Sequence, residues 1–103
     1  MERKIKFIAN VVKWFDKVNG NTYHSMQVIR CSDGKTIYCP FTYGYGDHYR
    51  QTALSAMADN RFLPVKYRSD RYCYKYEQEN NYPILWNVSE GKKKECIANG
   101  KEV

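Results

Sequence analysis

Apolar and polar residues alternate through the first forty positions. Ile5, Phe7, Ala9 and Val11 share one parity, and Lys4, Lys6 and Asn10 share the other. A period of two is the signature of a strand, so residues 4–16 are read as one. Asn19-Gly20 follows, a strong hairpin signal. Residues 22–31 form the returning strand, Asp33-Gly34 a second turn, and residues 35–41 a third strand. Pro40 has no N–H to give to a ladder, which puts this strand at an edge or near its end. Two-residue turns would set Val11 opposite Val28, Phe15 opposite His24, Val28 opposite Cys39 and Met26 opposite Phe41. One face then collects Ile5, Phe7, Ala9, Val11, Phe15, Met26, Val28, Ile37, Cys39 and Phe41. This is the expected core face. The opposite face is mixed, with Ile8, Val12, Trp14, Tyr23, Ser25, Gln27 and Tyr38. It needs a second layer or a partner, since extended apolar surface is seldom left bare. Trp14, Tyr23 and Tyr38 mark it as a candidate dimer face.

The period changes after Gly46. Tyr49, Ala53, Leu54 and Met57 recur at helical spacing. Asp47 is placed to cap the helix and Asn60 to end it, giving a helix over 47–59 that lies on the core face. Ser69-Asp70 opens a second helix predicted to run to about residue 79. Tyr72, Tyr74 and Tyr76 also alternate as in a strand, but Glu77, Gln78 and Glu79 are poor strand formers. Ile84–Val88 reads as a strand, Glu90-Gly91 as a turn and Lys92–Ile97 as the return strand. The expected fold is α+β in one domain, residues 1–103. An antiparallel sheet begins with a three-stranded meander, is packed by one or two short helices and ends in a C-terminal β-hairpin.

Composition sharpens this picture. The 103 residues carry a net charge of +6, 43% hydrophobic residues and ten tyrosines. Such a chain folds without help from metals or disulfides. No apolar run approaches the ~20 residues of a membrane helix, and no secretion signal opens the chain, so a cytoplasmic location is expected. Cys31, Cys39, Cys73 and Cys96 have no CxxC spacing and are read as reduced thiols. Basic and aromatic residues in the same chain point to nucleic acid, through phosphate contacts and base stacking. Tyr67, Arg68, Arg71 and Tyr72 interleave the two types, and Lys92, Lys93 and Lys94 form a basic run. These seven residues are the first candidate contact, to nucleic acid or to another partner. Tyr43, Tyr45 and His48, around the Gly44 and Gly46 loop, are the second.

Catalytic and metal signatures are sparse. The loop Gly44-Tyr-Gly-Asp-His lacks the Lys-Ser/Thr pair of a phosphate cradle, and Asp47 would repel the anion. It reads as a turn plus a cap. A zinc site from His24, His48, Cys31 and Cys39 would need all four to converge, yet Cys31 falls on the other face. No metal or cofactor is expected. His48, at a helix start beside the loop, is the best residue for a small hydrolase or nuclease. That is the third-ranked reading, behind a non-enzymatic binder and a protein–protein module or homodimer.

The stretches Trp14-Phe15-Asp16, Asn19–Ser25, Tyr45–Leu54 and Glu79–Ile84 resemble those of small uncharacterised bacteriophage and prophage accessory proteins. The likeness covers about half of the chain and assigns no residue a catalytic role. It implies a protein that works inside a bacterial host by binding. The partner would be nucleic acid or a nucleic-acid-handling host protein, and inhibition of host defence, as by an anti-CRISPR, is the most concrete form.

Overall fold

The computed structural model describes residues 4–64 and 74–101. Four strands form one sheet: β1 (Phe7–Asp16), β2 (Asn21–Arg30), β3 (Thr36–Tyr43) and β4 (Ile84–Glu90), in the spatial order β3-β2-β1-β4. Three helices accompany them: α1 (His48–Asp59), α2 (Tyr74–Glu79) and α3 (Lys93–Asn99). The fold is α+β and begins with the predicted meander. Pro40 lies in β3, an edge strand. No helix among the described residues is long and apolar enough to cross a membrane.

Both meander turns are longer than two residues. Asp16 pairs with Asn21, leaving Lys17–Gly20 as the loop. Its carboxylate accepts the backbone N–H of Val18 and Asn19 and the Asn19 side-chain amide. Asp33 does the same in the second loop, accepting from the Lys35 N–H and the Arg30 guanidinium. Each aspartate thus replaces strand pairing with local bonds. The register moves by two, so that Val11 faces Met26 and Met26 faces Cys39. A shift of two preserves which side chains share a face. Phe7, Ala9, Val11, Met26, Val28, Ile37 and Cys39 are all buried, under Tyr49, Ala53, Leu54 and Met57 of α1.

Two phenylalanines leave the expected core. A bulge sets Pro40 and Phe41 together opposite Ser25, between the Met26–Cys39 and His24–Thr42 pairs. The extra residue turns Phe41 onto the outer face. Phe15 keeps its parity, but no helix reaches it, and it is 53% exposed. At the helix ends, Asp47 occupies the N-cap position of α1 without a side-chain capping bond, and Asn60 is the C-cap. Arg61 takes the left-handed conformation that follows, at φ 61°.

The C-terminal hairpin is replaced. β4 pairs in parallel with β1, Phe7 against Ile84 and Lys13 against Glu90. Lys92–Ile97 does not return as a strand. Residues 93–99 form α3, and the Glu95 carboxylate accepts the Lys92 N–H at 3.0 Å, half of a capping box. Lys, Glu and Ala favour this helix. The predicted second helix is present as α2. Its proposed start at Ser69-Asp70 lies outside the described residues. Asn81, at φ 57°, and Tyr82 end it. The buried Glu77 carboxylate ties α2 down, accepting the Trp86 indole N–H at 2.6 Å and pairing with Arg50 at 3.4 Å.

α3 lies across the outer face and supplies the second layer. Cys96 is fully buried. Ser25 donates its hydroxyl to the Cys96 carbonyl, Gln27 donates to the Asn99 carbonyl, and the Asn99 amide donates to the Asn10 carbonyl. Gly100 permits the close approach: a β-carbon there would lie 2.6 Å from the Cys39 carbonyl oxygen and 2.9 Å from Ser25 Cβ. Gly100→Ala should therefore cost about 1–3 kcal/mol, an overpacking penalty. Urea unfolding checks this, and an unchanged midpoint would contradict the docking of α3.

Candidate functional site

The strand ends nearest the first turn carry a row of rings on the outer face. Trp14 on β1 stacks on Tyr23 of β2, with ring centres 5.6 Å apart. Tyr23 stacks on Phe41 of β3 at 4.7 Å, almost parallel. Tyr43 meets Tyr23 edge-on at 5.6 Å, and Tyr45 meets Tyr43 at 5.2 Å. Cross-strand neighbours on one face are close enough for such contacts, and the bulge brings Phe41 within 6.1 Å of Trp14 as well. The Tyr45 hydroxyl donates to the Gly20 carbonyl, which ties the ladder to the first turn.

Helix α3 adds charge to the end of this row. Lys93 Nζ lies 5.5 Å from the centre of the Trp14 ring, a cation–π contact. Beside it runs a groove of about 540 Å³, lined by Lys13, Trp14, Phe15, Lys17, Thr22, Glu90, Gly91 and Lys92. Its origin is simple. β4 stops at Glu90, opposite Lys13, while β1 continues to Asp16. The Gly91 N–H closes the junction on the Lys13 carbonyl at 2.9 Å. Beyond that point the edge of β1 is open, and side chains of both its faces line one concavity. Lys13 also donates to the Gly46 carbonyl at 3.0 Å, which fixes its position.

The predicted residues do not all converge. Trp14, Tyr23, Tyr43, Tyr45 and Lys93 come together in the ladder, and Lys92 joins the groove. Lys94 is exposed on α3. Tyr38 lies on the outer face, paired with Gln27, and makes no ring contact with the ladder among the described residues. Part of the candidate dimer face is covered by α3. Tyr67, Arg68, Arg71 and Tyr72 lie outside the described residues. Phe15, Lys17 and Phe41 were not among the predicted site residues. Proximity to Asn19-Gly20 was the available signal for the first two.

His48 stands apart from the ladder, at the exposed start of α1. Its ring centre is 5.9 Å from that of His24, which is fully buried and shares a hydrogen bond with Thr52 Oγ1 at 3.0 Å. A β-carbon on Gly44 would touch both rings, 2.6 Å from His48 Cδ2 and 2.8 Å from His24 Cε1. The pair thus packs the loop against the helix. Burial, with the charge of His48, lowers the pKa of His24 to about 4. Burial pushes the Cys39 thiol up to about 11, so it stays protonated at neutral pH. Among the described residues, no three His, Cys, Asp or Glu side chains converge to hold a metal.

No protein family, curated protein or solved structure matches the chain.

The histidine makes a pH prediction. His24 is held neutral in the fold, so the unfolded chain binds the extra proton between pH 6.5 and about 4. Its contribution is present in full above pH 6.5 and is lost as pH falls through that window. The expected loss is roughly 2–3 kcal/mol, read from urea midpoints at a series of pH values. His24→Gln should flatten that part of the profile.

Proposed function

We propose that this protein acts by binding rather than by catalysis, and that nucleic acid is its direct ligand. One observation carries the reading: lysines and aromatic rings converge where the first turn meets the N-terminal end of α3. Lys13, Lys17 and Lys92 line the groove, with Glu90 the sole carboxylate among the described lining residues, and Lys93 stands over Trp14. Lysines neutralise phosphates, and aromatic rings meet bases. The overall charge of +6 favours the same ligand. In the setting that the phage resemblance implies, such a protein would occupy nucleic acid that a host defence or processing system uses.

The ligand is tested with a labelled oligonucleotide at low salt. Affinity should fall as salt rises, with a log–log slope of about −0.7 per phosphate contacted on a single strand. Lys17→Glu combined with Lys92→Glu should flatten that slope and weaken binding without moving the melting temperature. No retention at low salt would remove nucleic acid as the ligand and leave a host protein as the partner.

A further inference from the structure

The rings at this surface are not equivalent. Trp14, Tyr23 and Phe41 pack as a triangle, with Trp14 and Phe41 6.1 Å apart, and the Lys93 ammonium lies near the Trp14 ring. Each ring of the ladder already has a ring or cation partner. Phe15 differs. It is 53% exposed, lines the groove, and has no aromatic or cationic partner among the described residues. A π-face with lysines around it is what a stacking base requires.

We infer that the groove takes a single strand of nucleic acid, with one base stacked on Phe15 and the flanking phosphates on Lys17 and Lys92. This rests on the proposed nucleic-acid reading and adds the class of strand and the residue that meets the base. The groove, at about 540 Å³, lies within the ~300–1,000 Å³ range of small-ligand sites and can admit one nucleotide unit. Bases inside a duplex are stacked on both faces, so none can lie on a ring in a groove without being unpaired first. Glu90 works against the phosphates, so its charge limits affinity and disfavours tight unspecific binding. Trp14, at the end of the ladder, lines the groove beside Phe15.

Fluorescence polarisation with a labelled oligothymidylate tests this. The competitors are the matching duplex and an abasic strand that keeps the phosphates. Phe15→Ala should weaken the single strand roughly 5- to 100-fold, the range for loss of one stacked base. Phe15→Trp should restore it. The abasic strand should bind wild-type protein no better than the normal strand binds Phe15→Ala, and the duplex should compete poorly. Glu90→Gln should tighten binding, and Lys35→Ala, in the second turn and away from the groove, should leave it near wild type. An exposed phenylalanine adds little to the core, and melting curves of Phe15→Ala and Phe15→Trp verify that the fold is kept. Binding that is unchanged in Phe15→Ala, or a duplex that competes as well as the single strand, overturns the inference while leaving nucleic acid as the ligand. Failure to bind any of the three probes overturns the broader reading as well.

Discussion

Ser25 is a fully buried hydroxyl on the outer face of a central strand, and its partner decides the arrangement of the C-terminal third. It donates to the Cys96 carbonyl. Asn99 donates to the Asn10 carbonyl at 3.1 Å, and Gln27 donates to the Asn99 carbonyl at 3.1 Å. Leaving such groups buried without partners would cost about 1–3 kcal/mol each. A helix of only seven residues has little stability of its own. α3 is therefore held by polar contacts specific in position, with Gly100 allowing the backbone of the chain to close on Cys39. A purely apolar contact could slide, but these bonds cannot.

The candidate site follows from that clamp. With α3 fixed over Asn10, Ser25 and Gln27, its first residues fall beside the end of β1. Lys93 meets Trp14, and Lys92 faces the groove. The length of β4 supplies the rest. It stops three residues short of the end of β1, and the open edge becomes a concavity instead of a continued ladder. The four-residue turn ending at Gly20 then brings Lys17 to the same place. Charge from one terminus and rings from the other meet because a helix crosses the sheet between them.

Much of the fold was legible in the alternation of the first forty residues. The observed turns shift the register by two residues from the two-residue expectation, and an even shift leaves each side chain on its face, so Phe7, Val11, Met26, Val28 and Ile37 lie in the core as their parity predicts. Phe41 does not, because a bulge has an odd count and Pro40 gave no indication of its direction. The parallel pairing of β4 with β1 joins residues more than seventy positions apart, and no local pattern encodes it. Lys92–Ile97 was ambiguous for a different reason: its apolar positions, Cys96 and Ile97, are adjacent and fit neither period. The site was half legible. Trp14, Tyr23, Tyr43, Tyr45 and Lys92–Lys94 were singled out, but as three separate patches. Phe15 was hidden because its parity says core, and only the reach of the covering helices determines that it stays exposed.

An amide-resolved NMR titration of the full chain with a short oligothymidylate tests whether the first turn and the start of α3 form one binding surface. Phe15, Lys17, Gly91 and Lys92 are expected to shift together along one binding curve, while Cys31, Asp33 and Ser55 stay still. Shifts centred instead on residues 67–72, or on the outer edge of β4, would contradict this.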